Sequence, residues 1–449
     1  MMMGVAPPNA GKPPMKPSMK TILLMPRIIR FLFHKWNFAT VANTDFPRLQ
    51  SRAKAFSLEP ENKLTAAELI EELHKIAELN KQISYNSVVV ILLMQIYNAI
   101  LRSRLQAVGV DFQDFALTEG LKELREYDPS DRLASLSKLY NCFDESTQER
   151  IKSSSFNHLQ DIPGTEDFQQ AFNEFIEQFG HMSDKTGEFD CIPWRENPDL
   201  ILDMVTSYQS RNGQDSKMIQ FRDLRVRGLR GWILKVFYRR ARQFRLYREK
   251  YSSLYTYNLL LFRIYYLVLG DHLVQKGLIH SPEDIYYLYE EEVRSIVDGQ
   301  VGDINFADLA AQRQDEMEQC QDYILPEVIY GDDLPPVVTA TDEKLTGIPT
   351  SKGYYTGKTK VVHSISEFNK LNPGEVLVIP YSDVSWTPLF AKAGAVIAES
   401  GGMLSHSSII AREYNIPAVV SASGAMQLDD NTLVSIDGYR GEIMIHANR

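Results

Sequence analysis

Gly401-Gly402-Met403-Leu404-Ser405-His406-Ser407-Ser408-Ile409-Ile410-Ala411-Arg412-Glu413-Tyr414-Asn415-Ile416-Pro417-Ala418-Val419-Val420 is the stretch whose reading decides the fold. The apolar run Ala395-Val396-Ile397-Ala398 before it reads as a short buried strand. Gly401 and Gly402 let the backbone turn sharply and let a phosphate come close. Ser405 is a helix N-cap, and Ile409, Ile410 and Ala411 bury one side of a short helix. Asn415 and Pro417 close that helix, and Ala418-Val419-Val420 opens the next strand. His406 is thereby expected on the first turn of a helix, at a strand–Gly-Gly–helix junction, with little packed around its side chain.

That position has a chemical consequence. The positive end of a helix disfavours imidazolium, so the ring stays neutral and nucleophilic near neutral pH. Free N–H groups at the same place stabilise a phosphoryl group once the ring carries one. A histidine so placed is suited to holding phosphate covalently. An isolated Ser-His reads more simply, as a hydrogen-bonded histidine at a helix start.

The wider pattern decides between these. Gly401-Gly402-x-x-Ser405-His406, Ala411-Arg412-Glu413 and Ile416-Pro417-Ala418-Val419 together resemble the signature of the swivelling phosphohistidine domain. That domain occurs in phosphoenolpyruvate synthases, pyruvate phosphate dikinases and rifampin phosphotransferases. Trp386-Thr387-Pro388-Leu389 stands before the Ala395–Ala398 strand as in many members. Val384 departs from the pattern, since relatives often have proline after the residue equivalent to Asp383. The resemblance implies that His406 is the catalytic phosphate carrier, supported by Gly401, Gly402 and Ser405.

The chain has 449 residues, 44% of them hydrophobic, enough for two or three domains with sizeable cores. A formal net charge of -10 argues against a general nucleic-acid binder. Cys142, Cys191 and Cys320 lie far apart without paired spacing, which fits reduced thiols in a cytoplasmic protein and supplies no zinc site.

Residues 1–19, rich in Met, Pro, Gly and Lys, read as a disordered tail. Ile28 to Trp36 is basic and apolar and reads as a docked amphipathic helix rather than a membrane contact. Apolar residues recur at helical spacing from Pro60 to Leu79, including Leu69, Leu73 and Ile76. A second helix is expected from Ser87 to Leu105, the central buried one of a bundle. Gln95, Asn98 and Arg102 interrupt it within roughly 20 residues, short of a membrane span. No strand alternation appears before residue 330, so residues 20–330 are expected to be α-helical.

Within this region, Phe179-Gly180-His181, Gly187-Glu188-Phe189-Asp190 and Pro193-Trp194-Arg195-Glu196-Asn197-Pro198 resemble a segment in the helical domain of rifampin phosphotransferases. Pro193 stands where those relatives have arginine. His181, Glu188 and Asp190, with Arg195, read either as an acid–base cluster beside an acceptor hydroxyl or as hydrogen bonds joining two helices. Arg222 to Lys250 is the most basic run. Arg242, Arg245 and Arg248 in it follow at intervals of three on one helix face. Arginine forks suit a phosphoryl group in transfer, although a solvated basic face explains any single one. Tyr247-Arg248-Glu249 resembles the acceptor-side segment of the same group, in which a later basic position is Ser252 here, with Lys250 the nearest cation. Arg248 is the residue that carries over, with Arg245 and Lys250 as further acceptor-site candidates. Leu254 to Lys276 reads as a further long helix, and Ser281 caps another that opens on Pro282.

Residues 331–343, rich in Gly, Asp, Pro and Thr, read as a hinge. Beyond it strands are expected at Lys358–Val362, Val376–Ile379, Ala395–Ala398, Ala418–Val420, Leu433–Ile436 and Glu442–Ile445. The predicted fold is therefore multidomain. An all-α acceptor-binding domain (20–330) is followed by a small β/β/α swivelling phosphohistidine domain (344–449).

No Gly-x-x-x-x-Gly-Lys-Ser/Thr loop occurs, and nothing resembles the ATP-grasp domain that charges this histidine in relatives. The resemblance then implies a split, ATP-dependent dikinase-type phosphotransferase. ATP and Mg2+ would be bound by an ATP-grasp partner in trans, with no metal held by this chain. His406 would pass its phosphoryl group to a small-molecule acceptor. The alternatives are a non-catalytic carrier or regulatory subunit, and a ligase subunit that activates a carboxylate.

Overall fold

The computed structural model describes residues 30, 35, 37–60, 64–118, 120–183, 188–207, 219–300, 304–319, 344–403 and 405–446. The tail 1–19, nearly all of the basic run 28–36 and the hinge 331–343 lie outside the described residues.

Two long helices form the backbone of the helical region. α1 (Phe38–Lys54) is followed by α2 (Ala66–Gln106), which starts on a capping box. The Thr65 amide donates to Glu68 at 2.7 Å and the Glu68 amide donates back to Thr65 Oγ1 at 3.3 Å. No Gly or Pro interrupts α2, so the two helices expected at 60–79 and 87–105 are one helix of 41 residues. The short helices α3 (Pro129–Asn141), α4 (Glu145–Ser153), α5 (Glu166–Phe179) and α6 (Pro198–Thr206) come next. α7 (Gly228–Gln275) then merges most of the basic run with the expected 254–276 helix into 48 residues. α8 (Glu290–Val297) and α9 (Phe306–Gln319) complete the region.

α2 and α7 lie antiparallel. Leu69 and Ile76 share a buried cluster with Leu261 and Leu269, whereas Leu79, Ile83 and Leu93 share one with Phe244, Tyr251 and Leu254. By length and composition α2 is apolar enough to cross a membrane, contrary to the sequence expectation, although it is packed lengthwise on α7 here. The chain after α7 returns as a 3-10 helix, Pro282–Tyr287, where an α-helix was expected. It lies so close that a Cβ on Gly270 would sit 2.4 Å from the Pro282 carbonyl oxygen.

The C-terminal region is a mixed eight-stranded sheet. Its strands are β1 (Lys344–Thr346), β2 (Ile348–Ser351), β3 (Tyr354–Val361), β4 (Val376–Ile379), β5 (Ala395–Ala398), β6 (Ala418–Val420), β7 (Leu433–Asp437) and β8 (Glu442–His446). The order is β1-β8-β7-β3-β4-β5-β6-β2. From β1 to β3 the pairing is antiparallel, from β3 to β6 it is parallel, and β2 closes the edge antiparallel to β6. β4, β5 and β6 are buried at every position, as parallel strands covered on both faces must be. β1 and β2 were not expected from the sequence, because three and four residues around Gly347 and Pro349 are too short for a periodicity to show. Two helices pack on this sheet, α10 (Thr387–Lys392) and α11 (His406–Glu413). A helical N-terminal region followed by a small mixed sheet is thus the architecture.

Candidate active site

β5, the glycine turn and α11 place His406 as the sequence expects. Gly401 has φ +131°, and a Cβ there would come 3.1 Å from Ser405 Oγ, so the turn requires glycine. A Cβ on Gly402 would meet nothing within 4 Å. Ser405 caps α11 by accepting from the Ser408 amide at 3.3 Å, and Ser408 Oγ donates to the Gly402 carbonyl at 2.6 Å. His406 is thereby fixed at the first helical position, beyond the carboxyl end of β5. In open α/β sheets this is where ligand chemistry concentrates.

The side chain is not open to water. His406 is only 5% exposed, because the helical region packs over it, where the sequence implied little packing. Thr387 Oγ1 lies 3.0 Å from Nε2 and itself donates to the Val384 carbonyl at 2.7 Å. The hydroxyl proton is thus committed, and the network assigns the Nε2–H tautomer, leaving the lone pair on Nδ1. Nδ1 is buried without a hydrogen-bond partner. Burial, and after it the Arg248 and Arg245 guanidiniums, hold the ring well below the usual histidine range. The resting imidazole is neutral.

Opposite stands α7. Arg248 Nη1 donates to Glu249 Oε1 at 2.6 Å, and Arg245 pairs with the same oxygen. Arg245 Nη2 also lies 4.0 Å from Glu413 at the far end of α11. Glu413 in turn accepts from Thr118 Oγ1 at 3.2 Å. Burial brings Arg248 down to about 9 and pushes the Glu413 carboxyl up. Arg248 and His406 line one cavity of about 540 Å³, with Ser252 and Tyr255 of α7 and the Ser382–Val384 loop. Its far wall is α2, through Ser84, Ser87, Val88 and Ile91. Asp383 in the loop is oriented by the Ser385 amide and hydroxyl, which donate to Oδ1 at 2.9 and 2.5 Å.

The other sequence candidates fall elsewhere. His181 is buried, with Nε2 3.1 Å from Ser253 Oγ, and burial followed by Lys54 lowers it to about 4. It lines a cleft of about 10 Å³ with Glu188 and Cys191. A cleft of about 20 Å³, sharing Ser183 and Thr256 with the first, leads on to Asp383 and Val384. The ligating atoms of Glu188, Asp190 and Cys191 converge within 4.8 Å, with both carboxylates exposed. The Asp190 carbonyl accepts from Arg263 Nη1 at 2.7 Å, and Arg263 also grips Glu196. Arg195 is held by its amide on the Gly180 carbonyl at 3.0 Å. Lys250 Nζ sits 5.6 Å from the Phe46 ring centroid. Thus His181, Glu188, Asp190, Arg195 and Lys250 do not line the His406 cavity, and Arg245 stands behind Arg248. The sequence reading missed Thr387 as a histidine partner, Asp383, and the α2 wall. Ser84, Ser87, Val88 and Ile91 recur at helical spacing, a face that reads equally well as core.

Comparison with known proteins agrees with this geometry. Residues 371–441 match the family model described as PEP-utilising enzyme, mobile domain, and residues 91–249 match that of the rifampicin phosphotransferase fourth domain. The uncharacterized phosphotransferase YvkC of Bacillus subtilis (strain 168) is 28% identical over 306 residues, 62% of this chain and 36% of its own. Rifampicin phosphotransferase of the same organism is 33% identical over 184 residues, 39% of this chain and 21% of its own. That of Streptomyces sviceus is 28% identical over 323 residues, 64% of this chain and 36% of its own. The chain spans little more than a third of the length of these relatives, or less. The resemblance read from Gly401 to Val420 is therefore shown, and the chain carries regions of rifampicin phosphotransferase type together with a mobile domain that contains His406.

Proposed function

We propose that this chain is the phosphohistidine-carrying and acceptor-binding part of an ATP-dependent phosphotransferase, with His406 the carrier. One observation supports this most. A neutral imidazole with a committed tautomer shares a cavity with Arg248, and that arginine's only ion-pair partner among the described residues is the carboxylate Glu249, shared with Arg245. A phosphoryl group on the ring would bring negative charge to two guanidiniums that share one carboxylate. Positioning and charge neutralisation are what phosphoryl transfer needs most.

His406 is buried in this arrangement, so charging requires it to leave α7. The sheet region is accordingly read as a swivelling domain, with 331–343 as its hinge. ATP and Mg2+ are assigned to an ATP-grasp partner, which would load the ring while it is away. On its return the ring faces the acceptor cavity, and Arg248 exchanges Glu249 for the phosphoryl oxygens. Thr387 holds the ring before charging and after discharge.

The test is covalent labelling. Charging with the partner and β-labelled ATP should leave an acid-labile, base-stable label on the wild type and none on His406→Ala. Persistence of the label at the wild-type level in His406→Ala would place the carrier elsewhere and overturn this reading.

A further inference from the structure

The first turns of α7 form a surface that the His406 site does not use. Phe221 stacks on Tyr238 with ring centroids 4.4 Å apart, and Leu224 and Val226 pack beside the buried Leu234 and Ala241. The segment 219–227 is thereby folded back along the helix, which brings its arginines next to those of α7. Arg222, Arg225, Arg227, Arg230, Lys235 and Arg239 are all exposed. None of the six has a hydrogen-bond or ion-pair partner among the described residues. The one acid from 219 to 240, Asp223, is engaged in its own turn, where it accepts from the Gln220 amide at 2.9 Å. α7 also opens without a side-chain cap from Arg227 and without an acid in its first turn, so the positive end of a 48-residue helix adds to the same charge. Apolar side chains stand among these cations: Leu229 is 73% and Trp232 62% exposed. Leu229, Trp232, Lys235 and Arg239 recur at helical spacing, on the face of α7 opposite the buried Leu234 and Ala241.

We propose that this face of α7 docks on an anionic lipid surface, with Leu229 and Trp232 entering the headgroup layer and the six cations pairing with lipid phosphates and carboxylates. Unpaired cations around an uncapped helix start call for an anionic partner. The protruding leucine and tryptophan call for an apolar layer directly beneath that charge. A bilayer surface rich in anionic lipid supplies both, with tryptophan at headgroup level and arginine on phosphate. A nucleic-acid strand would stack on Trp232 but leave Leu229 bare. A protein partner would need concavities matched to both side chains, whereas a soft lipid surface takes them without a shape match. The formal net charge of -10 makes the contact depend on this one oriented patch. Arg248 lies about 24 Å further along α7 at 1.5 Å per residue, so the docking face and the His406 cavity are separate surfaces. The contact does not depend on what His406 carries.

The experiment is co-sedimentation of the full chain with two vesicle populations, phosphatidylcholine alone and phosphatidylcholine with one third phosphatidylserine. Binding to the second population only is expected, and it should weaken at least tenfold in 0.5 M NaCl. The double variant Leu229→Ala/Trp232→Ala should lower the partition coefficient at least tenfold, and so should Arg225→Glu/Arg227→Glu. All four side chains are exposed, and unchanged urea midpoints show that both variants fold. Absence of binding to the phosphatidylserine vesicles overturns the proposal. Wild-type binding in either folded variant overturns it too, because the contact then lies elsewhere in the chain. Polyuridylate and polyglutamate, offered at equal anionic charge, should bind more weakly than the vesicles. Equal or tighter binding of either one assigns the face to a nucleic acid or to an acidic protein and overturns the lipid surface.

Discussion

Two of the contacts between the sheet region and the helices are of opposite character. On one side α10 and the 3-10 turn Ile365–Lys370 pack against α3 and α6. Leu133, Leu136 and Ile201 there share one buried apolar cluster with Phe368, Leu389 and Phe390. On the other side α11 faces α7 across Arg245, Arg248, Glu249 and Glu413. Parting the first contact would return apolar area to water at about 25 cal/mol per Å². Parting the second would return charges to a solvent that suits them better. Burial pulls Arg248 down and pushes Glu413 up, so each ion is disfavoured where it sits. The apolar contact holds the sheet in place, whereas the charged one adds little to cohesion.

Truncation on the apolar side should have the largest effect. Leu136→Ala and Phe390→Ala are each expected to cost about 2–5 kcal/mol, read from the urea midpoint. Indifference to both would remove the distinction. Arg248→Ala should leave stability within about 1 kcal/mol, since Glu249 keeps Arg245. Loss of a charge-stabilising donor should nevertheless slow transfer to the acceptor by about 10²–10³-fold, with charging of His406 by the partner nearly intact. Loss of charging in a folded Arg248→Ala would instead assign this arginine to the partner's surface.

The sequence made the charged side legible and left the apolar side unread. Gly401 to Val420 is a local code, in which turn, cap, helix and strand each carry their own residue types. It therefore placed His406 and the parallel strands correctly. Arg248 was legible from its helical spacing with Arg245. The α2 wall was not, because whether Val88 and Ile91 face a core or a cavity depends on what lies 150 or more residues away in the chain. The 181–195 block shows the converse. Its residue types suit acid–base chemistry, yet long-range packing buries His181 on Ser253 and turns Glu188 and Asp190 outward. Helix length was misread for a related reason. The stretch 80–86 between the two expected helices reads as a break, but Asn86 within it is buried and the helix runs on.

Between the two contacts in size is a pH effect at His181. The unfolded chain takes this proton near 6.5 and the folded one only near 4, because burial, with Lys54, disfavours imidazolium. The unfolded state therefore binds more protons between these values. Stability is fully present above pH 6.5 and falls toward pH 4, by about 3 kcal/mol in total. His406 is shifted in the same direction, so the measurement is the difference between wild type and His181→Gln across this window. The urea midpoint of His181→Gln should fall less steeply with acid. Equal slopes would mean that His181 is solvated in the folded chain and that the helical side of the seam is as open as the charged contact.

The smallest effect is expected where the two regions are joined by charge at the surface. Lys352 Nζ, next to β2, lies 2.9 Å from Asp111 and 3.1 Å from Asp114 of the segment after α2. Both carboxylates are about half exposed, so water already solvates them and holding the lysine costs side-chain entropy. Such pairs contribute about 0.2–1 kcal/mol and weaken as salt is added. Lys352→Ala should therefore move the urea midpoint slightly in low salt and hardly at all in 0.5 M NaCl. A loss comparable to that of Phe390→Ala, persisting in salt, would mean that polar contacts fix the sheet on the helices. In that case the charged seam at His406 would be a structural joint, costly to open, and the proposed departure of the ring from α7 would have no inexpensive way out.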